Sequence, residues 1–167
     1  MPNWCHNKLR VTGDAGAVER FREAVKTDEQ PLSFERILPT PADLLEEGGI
    51  MPGWYIWRIN HWGTKWDASF DEPFVALGAE TADPDASPRG EAESTIDDSV
   101  LYQFDTAWSP PESIMIVLGR KYPDLTFTLE FGEPGMEFAG RITVVGDEMQ
   151  RVELALSDVL GPEEMWF

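Results

Sequence analysis

One cysteine, two histidines and no long apolar run set the first limits on this chain of 167 residues. A single thiol, Cys5, cannot close an intramolecular disulfide, nor can it supply the four thiolates of an iron–sulfur cluster. Nothing approaches the roughly 18 consecutive apolar residues of a membrane span. No N-terminal stretch has the charged, apolar and small-residue regions of a signal peptide, so a cytoplasmic protein without membrane contact is expected. The GxSxG elbow and the Walker and dinucleotide glycine loops are missing too, and the GTK within WGTK is not a P-loop.

Basic side chains are the other shortage: 13 Lys and Arg stand against 31 Asp and Glu, a formal net charge of −18. The imbalance is local. Residues 1–66 carry net −1, residues 67–105 net −10, residues 106–129 balance, and residues 130–167 carry net −7. Such a chain repels phosphate backbones, so direct nucleic-acid binding is disfavoured and a basic protein partner is favoured. Acidic runs of this kind also serve solubility or adaptation to salt.

What is plentiful is tryptophan. Four of the seven fall between Trp54 and Trp66 in GWYIWRINHWGTKW, and FDTAWSPP repeats the theme at Trp108. Indoles bury large apolar area yet need a partner for one N–H, so they gather where packing is specific.

Periodicity gives the elements. NKLRVTG alternates as a strand, with Cys5, Asn7, Leu9 and Val11 on one side and His6, Lys8 and Arg10 on the other. Asp14 offers an N-cap to a helix that repeats Val18, Phe21 and Val25. Residues 30–63 form a proline-broken insertion with a short strand at SFERIL, a helical turn at PADLLEE and a helix at WYIWRINHW closed by Gly63. The alternation of WYIWRINHW also permits a strand. KWDASFD and LYQFDTAW read as strands flanking an acidic, flexible hairpin loop, residues 73–99. Ser109, Pro110, Pro111 and Glu112 have the form of a helix start, followed by a stripe of Ile114, Val117, Leu118 and Tyr122. LTFTLEF and FAGRITVV are further strands, and the tail at 149–167 permits helix or strand.

This order describes one α+β domain over residues 1–167: a split βαβ sandwich (βαββαβ) of ferredoxin-like plan with an extra C-terminal strand. Helices on one face of the sheet leave the other free to be polar. The covered side collects Leu9, Val11, Trp66, Phe70, Phe104, Trp108, Phe127, Leu129 and Phe131; the open side collects His6, Lys8, Arg10, Lys65, Asp67, Gln103, Asp105, Thr128 and Glu130.

The segments MPNWCHNKLRVTG, WRINHWGTKWDA, FDTAWSPP and TFTLEFGEPGMEFAG resemble the Api92-like, YubB-type ferredoxin-like proteins of bacteria, plasmids and phages. The resemblance covers most of the chain, leaving out the acidic hairpin and the last twenty residues. It implies a ferredoxin-like domain without an iron–sulfur cluster; it does not imply an activity, and it carries over no catalytic residues. No cofactor is expected.

Several constellations invite chemistry. Cys5, His6 and His61 with Asp67 or Asp105 offer metal donors, but adjacent Cys5 and His6 face opposite sides of a strand, so no metal site is expected. A Cys5 nucleophile sits in the apolar layer, where its reactivity falls. Asp67 and Asp105 occupy mirrored WD and FD positions where paired strands could set two carboxylates side by side, while Lys65, Lys8 and Arg10 on the same face provide cross-strand ion pairs. His6, Lys8, Arg10, Lys65, Asp67 and Asp105 are thus the candidate open-face binding cluster. An RNA-reading face is not expected, because the strand aromatics fall on the covered side. Trp54, Trp57, Arg58 and Trp62, with Glu80, Asp83, Asp85, Glu91, Glu93, Asp97 and Asp98, are the candidate partner-binding surface. The indole group also serves as a small core that fixes the insertion.

Overall fold

The computed structural model describes residues 2–70 and 99–162. The first strand, β1 (Trp4–Thr12), alternates buried and half-buried positions throughout, and it is an interior strand of a five-stranded antiparallel sheet. Its neighbours are β2 (Ser99–Ala107) on one side and β3 (Thr126–Glu133) on the other, with β4 (Phe138–Val145) and β5 (Glu148–Glu153) continuing outward from β3. Ser69 adds a single antiparallel bridge to Asp105, with Ser69 N–H donating to Asp105 O at 2.9 Å and the reverse bond at 2.7 Å.

The inner rows of the strands build the core. Cys5, Leu9, Val11, Tyr102, Phe104, Phe127, Leu129, Phe131 and Ile142 are all buried on one face, where α1 (Ala15–Val25) and α5 (Glu112–Lys121) cover them. Asp14 caps α1 as its sequence position predicts, accepting from Ala17 N–H at 3.2 Å, and Phe21 meets Tyr102, Tyr122 and Phe127 edge-on.

Between α1 and β2 lie α2 (Phe34–Ile37), α3 (Ala42–Leu45) and α4 (Gly53–His61). The SFERIL segment is therefore helical where a strand is expected. The cause is tertiary: the Asp67 carboxylate accepts from the N–H of Phe34 and the hydroxyl of Ser33, which closes the first turn of α2. The helix at WYIWRINHW forms, and Gly63 ends it at φ 89° while accepting no substitution easily: a Cβ there would lie 2.9 Å from Glu112 N.

The SPPE helix start departs from expectation. Pro111 occupies the N-cap position, while Ser109 Oγ donates instead to Gly63 O at 2.6 Å, tying the end of α4 to the start of α5. The stripe holds with one shift: Ile114, Met115 and Leu118 are buried, and Val117 and Tyr122 pack at its edge.

Trp66 and Trp108 are not core residues. Trp66 lies outside any strand at 38% exposure, and Trp108 follows the end of β2 with φ 70° at 48% exposure. Parity extended beyond the paired residues misplaces both. The KWDASFD strand reduces to the Ser69 bridge among the described residues, because Asp67 is drawn aside to α2.

The tail resolves into both alternatives, β5 and then α6 (Leu156–Val159). α6 folds over the supposedly open face: Leu156 and Leu160 approach Gly132, and Val159 and Leu160 form a small apolar cluster with Ala139. Among the described residues that face is therefore roofed at its β3–β4 end, and no helix covers its β1–β2 end. No helix of the described residues is long and apolar enough to cross a membrane.

Candidate functional site at the uncovered end of the sheet

Even-numbered positions of β1 place Trp4, His6, Lys8 and Arg10 in one row on the uncovered face. Register then decides what each meets. His6 is opposite Asp105, and His6 Nδ1 donates to Asp105 Oδ1 at 2.6 Å, because an ionised carboxylate can only accept. Both side chains are about a quarter exposed. The arrangement fixes the tautomer and leaves Nε2 as the ring's basic nitrogen when His6 is neutral.

The remaining candidates are distributed among separate tasks. Lys8 stands between Gln103 and Glu130 and donates from Nζ to Val159 O at 3.1 Å, which fastens α6 to the sheet. Arg10 stands between Leu101 and Thr128. Lys65 is not in the sheet row; its Nζ lies 4.2 Å from the Trp66 ring centroid. Asp67 is not paired with Asp105. Its two oxygens accept from Phe34 N–H at 2.6 Å, Ser33 Oγ at 2.7 Å, Ala68 N–H at 2.7 Å and Glu35 N–H at 3.4 Å. Burial pushes this carboxyl above its ordinary range, against the opposing pull of those four donors. The structure thus brings His6 and Asp105 together and assigns Asp67 to holding the fold.

Cys5 is fully buried on the other side of β1, and burial raises its thiol far above the ordinary value, so it is held as a neutral thiol. Among the described residues no three His, Cys, Asp or Glu side chains converge as a metal centre requires.

The indole surface is mostly internal. Trp62 is fully buried, packs edge-on against Phe34 and donates its Nε1–H to Leu38 O at 2.9 Å. Arg58 lies between two indoles, its guanidinium carbon 5.0 Å from the Trp54 centroid and 4.6 Å from that of Trp62. The same guanidinium pairs with Glu35 at 3.0 Å and donates to Thr40 Oγ1 at 3.0 Å. Trp57 packs against the core and stacks on His61 at 4.3 Å. Glu80, Asp83, Asp85, Glu91, Glu93, Asp97 and Asp98 lie outside the described residues.

Sequence reasoning misses one feature. Trp4 and Trp66 approach to 6.1 Å between centroids with planes tilted by 41°, and they border a groove of about 400 Å³ whose other walls include Glu29, Gln30, Asp67, Ser69 and Phe70. Trp4 shares the parity of His6, a signal visible in the strand pattern. Glu29 and Gln30 arrive by tertiary packing of the α1–α2 connection, for which the sequence carries no periodic sign.

Residues 89–158 match a family described as the ferredoxin-like domain in Api92-like protein. The match is consistent with an Api92-like family and with the α+β fold and its antiparallel sheet. Residues 1–88, which contain two of the four resembling segments, lie outside it. No curated protein and no solved structure matches the chain.

Proposed function

We propose that this chain is a non-enzymatic, cytoplasmic binding protein of a phage- or plasmid-borne accessory kind, and that it engages a basic protein. Its target is a nucleic-acid-handling or host-defence component, which it blocks by presenting carboxylates where phosphates would lie. The frame is the split βαβ plan, with the Ser69 segment as the fourth core strand beside β2, and residues 30–63 are the Trp-rich insertion.

One observation carries this reading: residues 71–98 hold nine acidic side chains and one basic one. The acids flanking that block, Asp67 and Asp105, are satisfied by α2 and His6, and the single basic residue within the block cannot balance its nine acids. A concentrated negative charge attracts a basic surface and accelerates its capture in a manner that salt suppresses. The experiment is a binding titration against basic host proteins over a range of salt, with Glu80, Asp83, Asp85, Glu91, Glu93, Asp97 and Asp98 replaced together by their amides. The wild type should bind with a steep salt dependence, and the amide variant should lose both affinity and slope. A partner bound equally by both proteins would overturn the proposal.

The His6–Asp105 pair favours a second reading, a small-molecule binder or hydrolytic enzyme on the uncovered face, since an oriented imidazole is a ready general base. Under that reading Asp105→Asn removes ligand binding or turnover while the melting temperature holds. A loss of stability alone would mark the pair as structural.

A further inference from the structure

We infer that the groove between Trp4 and Trp66 is the seat of an arginine side chain from the basic partner. This deepens the binding reading above and rests on it. Trp4 belongs to the uncovered row of β1, and Trp66 is 38% exposed although large and aromatic. Their planes are tilted by 41° at 6.1 Å between centroids, so they do not close into a stacked pair, and both residues line the groove. Electron-rich ring faces that open onto a groove attract a cation.

The remaining walls have the matching sign. Glu29 is exposed on the rim and forms no ion pair among the described residues. Asp67 lends negative potential, although its hydrogen-bonding capacity is spent on α2. Gln30 donates one N–H of its side-chain amide to Leu32 O at 2.7 Å, and its carbonyl oxygen adds acceptor capacity to the wall. Among the described residues no basic side chain lines the groove.

Arginine is favoured over other cations by its shape. A planar guanidinium can lie along a tilted indole and still present N–H groups in plane to a carboxylate, which an ammonium cannot do. The molecule already contains this solution, since Arg58 is held between Trp54 and Trp62 while pairing with Glu35. Lys65 Nζ, 4.2 Å from the Trp66 centroid, shows that this indole already carries a cation within the frame.

The test uses an acetylated hexa-arginine peptide as the probe, with the indole N–H resonances of the full chain followed by NMR. The Trp4 and Trp66 signals should move saturably, Glu29→Gln and Trp4→Ala should each weaken binding about tenfold, and hexalysine should bind more weakly than hexa-arginine. Glu29 is exposed, so its replacement leaves the fold intact should Trp4→Ala disturb it. Binding that leaves both indoles unmoved and ignores Glu29→Gln overturns the groove while sparing the acidic-partner reading. Equal affinity for hexalysine overturns the selection of arginine. No binding even at low salt overturns both.

Discussion

Asp67 shows how a carboxylate marked for chemistry can be absorbed by architecture. In the sequence it mirrors Asp105, yet its oxygens meet four donors from residues 33–35 and 68, and a four-residue helix forms around it. Asp67→Asn cannot accept on both sides, so we expect a loss of about 2 kcal/mol in urea unfolding at neutral pH. The pH dependence follows from burial. A carboxyl raised in the folded state contributes stability that is fully present below its unfolded pKa and is lost as pH rises through the folded value. The wild type should therefore extend its lead over the variant as pH falls from neutral toward the usual aspartate range, and parallel stability curves would refute the assignment. Arg58 makes a comparable case. Arg58→Lys keeps the charge and forfeits the planar contact with Trp54 and Trp62, with an expected cost of about 1–2 kcal/mol. An unchanged unfolding midpoint would show that the indoles do not hold it.

Elements were legible in the sequence to the extent that their pattern was their own. β1 reads correctly from Cys5 to Val11 because one strand with two different faces imposes period two, and α1 because its cap and stripe are contiguous. Where a partner far along the chain decides, local signals mislead. SFERIL becomes α2 under the influence of Asp67, and Ser109 forsakes its helix for Gly63 O. Trp66 and Trp108 lie beyond the residues that pair, so alternation says nothing of their face. The candidate site was legible in the same measure: His6 and Asp105 lie opposite by strand register, while the Glu29 wall of the groove depends on packing. Two predictions belong at this scale. Gly63→Ala places a side chain at φ 89° against the backbone of Glu112 and should cost about 2 kcal/mol by denaturation. Leu160→Ala should cost about 2–3 kcal/mol and accelerate amide exchange at Gly132 and Ala139, which α6 roofs. Exchange unchanged at those amides would mean that the roof is not formed in solution.

For the whole molecule the governing quantity is the net charge of −18 on 167 residues. The described frame contains compensating pairs, such as Arg22 with Glu19, Arg141 with Glu130 and Arg151 with Glu112. Exposed pairs of this kind contribute little each, and 13 basic residues cannot neutralise 31 acids. Self-repulsion therefore opposes the compact state, and its strength depends on the screening length, about 10 Å at 0.1 M salt and about 3 Å at 1 M. The melting temperature should consequently rise with sodium chloride, most steeply at low ionic strength, and the seven-amide variant of the acidic block should start higher and rise less. Salt has the opposite effect on the proposed function, since it weakens attraction to a basic partner by the same screening. The two measurements form one test. If the acidity serves binding, the amide variant is the more stable protein and the poorer binder; if it serves solubility alone, the variant gains stability, aggregates more readily and binds as the wild type does.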